Sequence, residues 1–378
     1  MPGSLLQQGS GGLILIAGDL QRGGHGPGYL KAWTGFLQAE GISHEVRHLQ
    51  SASVGFTPLG RFTKVLVDAG RTIFFWGRLW RRLKSRDICL FLDAPCSFPL
   101  GIRMMTAAFL RCGVESRAYS ICHAFPGGGD CLPFGGSGAP WRKYFPVAKV
   151  FVHSRELGNF LRDEVGLRAG QIHSYSWGCP PVRESQPPTA DGFLKLLFLG
   201  QYRNSKGLEW LWEQLQELPI PCRLQAIVSC DPEVGSRVSE RLASVGARPI
   251  HQLALAHKHY FSEEEMDAGF QLSDVMVLPY LREHRLVSGI VYLAAHHGCP
   301  VISSTHSESG RIASDHGFGF CFEPADGRGL RDCLEKFWTL PPEKKTEMRR
   351  RAAQFARDHQ WKIVLRDVLH HMEGLRVL

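Results

Sequence analysis

The sequence predicts an α/β protein built as two domains, each around a parallel sheet, and three observations carry that prediction. The chain has 378 residues, too many for one ordinary core and enough for two. Ser273 to Ser304 reads as strand, loop, helix, strand. Asp274 opens a short apolar run over Val275–Leu278, Pro279 and Tyr280 stop it, and a charged loop follows. Ser288-Gly289 then leads into apolar Ile290–Ala295, and Gly298 comes just before Pro300, Val301 and Ile302. That succession is the repeating unit of a parallel sheet. An apolar run followed by a glycine-bearing loop and a helix also opens at Leu13 and again at Phe193. In such folds a ligand sits beyond the carboxyl ends of the strands, which is where 279–289 falls.

In the first domain, Leu13–Ala17 has the pattern of a buried strand. The next stretch carries Gly23, Gly24, Gly26 and Gly28 and runs into a helix that ends at Gly41. The glycines permit a tight turn, but the full dinucleotide fingerprint and a Walker lysine are both missing. Ser43–Leu49 reads as a second strand. Ile88–Leu92 is a strand ending in Asp93-Ala94-Pro95, and Ile102–Cys112 is a helix stopped by Gly113. Ser116–Ile121 is a further strand with His123 just past its end; on position alone a histidine there is more often structural. The glycine-rich segment 126–140 is a surface loop. Val150–His153 is a strand, Ser154 caps the helix 156–164, and Ile172–Tyr175 is a last short strand.

Residues 61–86 stand apart. They hold eight Lys or Arg and one Asp, interleaved with aromatic and aliphatic residues. At helical spacing Ile73, Trp76, Trp80 and Leu83 form one stripe, with Arg71, Arg78, Arg81, Arg82 and Lys84 around it. Such a segment suits an interfacial helix on anionic lipid. A packing helix with a solvated basic edge is the other reading.

Pro180 to Pro188 is the expected linker, dividing a domain over 1–182 from one over 183–355, with 356–378 as a closing helical segment. Phe193–Leu199 starts the second sheet. Gly200-Gln201-Tyr202-Arg203-Asn204-Ser205-Lys206-Gly207 follows, then a helix over Leu208–Gln216. Leu224–Ser229 is a strand and Val234–Ser244 a helix. Ser262 with Glu265 is a capping box ahead of a short helix. After the 273–304 unit come Phe318–Phe322 as a small strand and helices over 330–337, 343–358 and 361–372. The basic run 344–351 reads as a solvated face.

Composition bounds the function. A formal charge of +8 favours acidic partners such as a phosphorylated substrate or an anionic membrane surface. No nucleic-acid-binding motif accompanies it, so nucleic acid is not an expected partner. The eleven cysteines show no C-x-x-C pair or metal spacing, and Cys89 and Cys112 read as small buried hydrophobes. There is no Asp-x-Asp metal clamp and no run of eighteen apolar residues, and 1–12 is polar and glycine-rich rather than a signal peptide. A cytoplasmic protein with reduced thiols is the expectation, with a peripheral position at the inner membrane face if 61–86 binds lipid.

Two motifs together resemble a known family. The strand, Gly200 and Lys206-Gly207 match the spacing of the diphosphate-binding loop of GT-B glycosyltransferases, and the 273–304 unit resembles their sugar-nucleotide site. The chain resembles most closely the large retaining family, glycosyltransferase family 4 or glycosyl transferases group 1, in a Ser-Gly variant. That family places a second Glu eight residues after the first; counting from Glu283 gives Val291, and anchoring on Gly298 gives Leu293. The resemblance covers nearly the whole chain, is strong in 196–215 and 261–303, and is faint in 1–190.

The resemblance implies two facing Rossmann-like domains with parallel sheets and a C-terminal helix crossing back to the first. It implies transfer of a hexosyl unit from a nucleoside-diphosphate sugar, UDP- or GDP-linked, to a glycan or lipid-linked acceptor, with retention and with no tightly bound cofactor or metal. Carried over residue by residue, Lys206 and Arg203 neutralise the leaving diphosphate, with Gln201 where the family often has Arg. Ser288, Gly289 and Tyr280 line the donor side, Gly24 touches the diphosphate or the acceptor, and Gly310 approaches the donor. Glu283 holds sugar hydroxyls or carries acceptor-side charge, and His123 orients the sugar or acceptor. Other readings stay open: a nucleotide-sugar epimerase or another enzyme on this fold, or a catalytically degenerate basic binding or scaffold protein.

Overall fold

The computed structural model describes residues 12–17, 26–49, 58–83, 87–92, 100–123, 146–183, 191–246, 248–282, 288–305 and 307–372. The chain divides into two compact units, 1–176 with 361–378, and 177–360.

In the first unit the chain runs β1 (Leu13–Ala17), α1 (Gly26–Ala39), β2 (His44–His48), α2 (Pro58–Trp80), β3 (Ile88–Phe91), α3 (Leu100–Arg111), β4 (Ala118–Cys122), β5 (Lys149–Val152), α4 (Arg155–Asp163) and β6 (Ile172–Ser174). The strands form one sheet in the order β2-β1-β3-β4-β5-β6, parallel throughout. β1, β3 and β4 are buried along their whole length, which is why they read as unbroken apolar runs rather than alternating ones. Ser154 caps α4 as its sequence indicates, its Oγ accepting from Leu157 N at 3.0 Å.

The second unit runs β7 (Leu194–Gln201), α5 (Leu208–Leu215), β8 (Cys222–Ser229), α6 (Pro232–Ser244), β9 (His251–Lys258), α7 (Glu263–Gln271), β10 (Val275–Leu278), α8 (Ile290–His296), β11 (Val301–Ser304), α9 (Glu308–Asp315), β12 (Gly319–Phe322), α10 (Gly327–Thr339) and α11 (Pro342–Asp358). Its sheet order is β12-β11-β10-β7-β8-β9, again parallel throughout. The chain builds outward from β7 to β9, then crosses over and builds outward from β10 to β12. The two halves of the sheet build in opposite directions from the β7–β10 pair, so the carboxyl ends of these two strands mark the topological switch point where a ligand crevice is expected. The capping box forms: Ser262 Oγ accepts from Glu265 N at 3.3 Å and Glu265 Oε2 accepts from Ser262 N at 2.8 Å.

The last helix, α12 (Trp361–His370), follows the second unit in sequence but packs in the first. It buries Val364, Leu365, Val368 and Leu369, sets Trp361 against the Tyr29 ring of α1 at 5.4 Å, and pairs Arg366 with Glu40.

Three sequence expectations need correction. The edge strand β9 was not anticipated: its solvated face carries Gln252, Ala254 and Ala256, so no apolar run marks it, and only the alternation of Leu253 and Leu255 does. The stripe Ile73–Trp76–Trp80–Leu83 is not one face. Trp76 is 2% exposed, stacked on Phe109 of α3 at 4.2 Å with its Nε1 donating to Thr106 Oγ1 at 3.2 Å, while Ile73 is 60% exposed and Trp80 48%. Cys112 is exposed at the end of α3, whereas Cys89 is buried as expected.

Candidate functional site

The crevice of the second unit is built by two loops locked together. The first leaves β7 at Gly200, makes one tight turn over Asn204–Lys206 and enters α5 through Gly207. Gly200 has φ +146° and a Cβ there would lie 2.7 Å from Lys206 Nζ; Gly207 has φ +73° and a Cβ there would lie 2.4 Å from the Pro279 carbonyl oxygen. Both positions therefore favour glycine for conformation, and Gly207 needs it for space as well. The second loop leaves β10 at Pro279, and Leu281 N donates to Ser205 O at 2.9 Å, a backbone staple between the loops.

Lys206 is held at the centre of this arrangement. It is 8% exposed, its Nζ lies 5.9 Å from the centroid of the Tyr280 ring, and no carboxylate among the described residues pairs with it. Burial pushes its ammonium down to about 8, and the neighbouring Arg203 guanidinium pushes in the same direction. The site thus stores a buried positive charge that lacks an anion among the described residues. Arg203 and Gln201 are exposed at the same edge.

Tyr280 is fully buried, and burial raises its phenol to about 12, so it stays neutral. Its Oη lies 2.7 Å from Ser288 Oγ, a bond that ties together the two ends of the second loop. Ser288 Oγ also accepts from Ile290 N at 3.4 Å. Gly289 sits at φ −69°, a conformation open to any residue. Gly310 is a packing glycine: a Cβ there would lie 2.5 Å from Ser304 O. Gly24 and Glu283 lie outside the described residues.

His123 lies at the carboxyl edge of the first unit's sheet, in a row the sequence reading did not foresee. The register pairs Cys122 with Val152 and Val152 with Ser174, so the next residues, His123, His153 and Tyr175, emerge side by side. His123 Nε2 is 2.8 Å from Leu92 O, which can only accept, so Nε2 carries the proton. Its Nδ1 is 2.9 Å from His153 Nε2, which is 3.1 Å from Tyr175 Oη, which in turn is 2.7 Å from Tyr29 Oη. The sequence signal for these partners is a polar residue directly after each buried strand, visible only once the strands are known to be adjacent.

Comparison with known proteins now decides the family. Residues 194–339 match the family model described as Glycosyl transferases group 1. The second unit belongs to that family. Solved structures match nearly the whole chain. A glycosyltransferase from Rickettsia africae ESF-5 is 14% identical, covering 97% of this chain and 99% of that one at a TM-score of 0.64. A UDP-forming α,α-trehalose-phosphate synthase from Burkholderia xenovorans is 12% identical, covering 97% and 99% at 0.68. The lipopolysaccharide outer core galactosyltransferase WaaB is 13% identical, covering 95% and 98% at 0.67. No curated protein matches the chain. The fold of the chain is GT-B, and the match to the group 1 family model lies in the unit that carries Lys206.

Proposed function

We propose that this protein transfers a hexosyl unit from a nucleoside-diphosphate sugar to a glycan or lipid-linked acceptor, with retention of configuration. The observation that carries the reading is Lys206: a buried ammonium with no carboxylate partner among the described residues, in the crevice of a group 1 glycosyltransferase domain. A diphosphate supplies the missing negative charge. As the glycosidic bond breaks, charge builds on the leaving diphosphate, and a desolvated cation fixed beforehand stabilises that state more than the ground state. Lys206 does this from inside the crevice and Arg203 from its rim, in the role a divalent ion has in other transferases. Tyr280 and Ser288 hold the shape of the second loop. Glu283 is assigned to the sugar hydroxyls or acceptor-side charge, Gly24 to the diphosphate or acceptor, Gln201 to the donor rim, and His123 to orienting the reacting groups. UDP is the first donor class to test, because matching solved structures include Anabaena HepE in complex with UDP and an E. coli trehalose-6-phosphate protein bound with UDP-2-fluoro glucose.

The outer face of α2 supports a lipid-linked acceptor. Leu66, Val67, Ile73, Phe74 and Trp80 are exposed there beside Arg71, Arg78, Arg81 and Arg82. Apolar side chains with a basic surround suit a peripheral position on anionic lipid at the cytoplasmic face. Among the described residues no helix is long and apolar enough to cross a membrane. The test is transfer of labelled sugar from UDP- and GDP-sugars into lipid extracts. Label in a product with wild-type protein and none with Lys206→Ala supports the reading. No transfer and no donor hydrolysis with any nucleotide sugar would overturn it.

A further inference from the structure

We propose that His173, Asp367 and His371 form a binding site for a late first-row divalent cation, of which zinc is the probe, that clips α12 to the edge strand β6. The site lies within the first unit and is independent of the donor crevice. One ligand atom from each of the three residues lies within 4.8 Å of the others. His173 Nε2 is 3.0 Å from Asp367 Oδ2, and His371 Nδ1 is 3.4 Å from Asp367 Oδ1. Tetrahedral zinc with bonds of roughly 2.0–2.2 Å sets its ligands roughly 3.3–3.5 Å apart. The carboxylate-to-imidazole separations thus already lie within about 0.3 Å of the spacing an ion requires, and rotation of a partly exposed ring closes the histidine pair.

The donor set also has the chemistry. Two imidazoles and one carboxylate select zinc, copper, nickel or cobalt over magnesium and calcium, which prefer all-oxygen sites. His173 meets the Phe151 ring edge-on at 5.7 Å, and His371 Nδ1 lies 2.9 Å from the Asp367 carbonyl oxygen. That nitrogen is also the one nearest Asp367 Oδ1, so an ion bound there replaces its hydrogen bond to the carbonyl. The two imidazoles stack with centroids 3.7 Å apart, so one ring turns for their in-plane lone pairs to converge on a single ion. The site joins residues 194 positions apart in sequence, so an ion here fastens the end of the chain to the sheet edge and stabilises the folded form by mass action.

An ordinary ion pair between a protonated His173 and Asp367 fits the same distances, and the experiment separates the two. Reduced full-length protein is titrated calorimetrically with ZnCl2, as wild type, His173→Ala and Asp367→Asn, with a thermal melt of each. Asp367→Asn keeps side-chain size and hydrogen bonding, so it guards against a variant that merely unfolds. The expected result is that wild type takes up one more zinc equivalent than either variant, or binds that equivalent at least about tenfold more tightly, the lower bound set by loss of a mere supporting contact. Zinc then raises the melting temperature of wild type only, and MgCl2 raises none. Equal zinc uptake and equal melting shifts in all three proteins would overturn the proposal and leave the ion pair.

Discussion

The two sheet edges solve opposite problems. In the first unit His123, His153, Tyr175 and Tyr29 join in one continuous hydrogen-bonded row that ends on the Leu92 carbonyl. In the second, Lys206 is buried against an aromatic ring with a like-charged arginine nearby. The row is held by hydrogen bonds among its own members and to a backbone carbonyl. Lys206 has no carboxylate partner among the described residues, and the proposed donor diphosphate would supply the anion. A satisfied network positions groups; an unsatisfied charge binds.

That contrast breaks most directly at Lys206. Replacing it with Met, close in shape and uncharged, lowers affinity for the donor nucleotide by at least about a hundredfold, as removal of one member of a buried charged pair does. The same change stabilises the donor-free protein, by on the order of 3 kcal/mol, the free-energy equivalent of holding the ammonium near 8 rather than 10.5. A nucleotide titration and a urea melt of one variant check both signs. Loss of stability together with loss of binding would mean that Lys206 is structural.

Next in size is Gly207→Ala, which meets the Pro279 carbonyl at φ +73°. It destabilises the fold by about 2–4 kcal/mol in urea denaturation and weakens donor binding by moving the two loops apart. In the row, His153→Asn is expected to lower kcat about tenfold with little change in KM for the donor. If His123 orients the reacting groups as proposed, the change also shifts the pH–rate profile, because His153 hydrogen-bonds His123; a purely structural role would move stability alone.

The pH dependence sharpens the comparison. The folded ammonium of Lys206 titrates at about 8, below its ordinary 10.5. Below 8 it is charged in both folded and unfolded chains and its buried charge costs stability. Between 8 and 10.5 the unfolded chain holds the extra proton, so this group's contribution to stability rises with pH. Donor affinity runs the other way, falling above 8 by up to about tenfold per pH unit. Stability and binding measured across that window should therefore change in opposite senses. The smallest effect on the fold belongs to Phe74→Ser on α2, 66% exposed, which leaves the melting temperature nearly unchanged and reduces sedimentation with anionic vesicles.

Much of this was legible because local rules and tertiary structure agree. β10 falls on Val275–Leu278 as the apolar run predicts, and the capping box at Ser262 starts α7 where expected. What escaped needed information that sequence spacing does not hold. β9 lies at the sheet edge with one face wet, so packing imposed no apolar run. The inner face of α2 is set by Phe109 and Thr106 of another helix, which chose Trp76 and left Ile73 outside. Lys206 was identified by motif, but its burial arises from the meeting of two loops over seventy residues apart, and a lysine in a glycine-rich loop reads alone as solvated. The His123 row exists only through the β4–β5–β6 register.

The most direct test of the central claim is calorimetric titration of UDP and GDP into the wild-type protein and into Lys206→Ala. Saturable binding of one nucleotide to wild type, abolished in the folded variant, is the predicted result. Failure of the folded wild-type protein to bind either nucleotide, or equal binding to the variant, would contradict the assignment of the Lys206 crevice as the donor site.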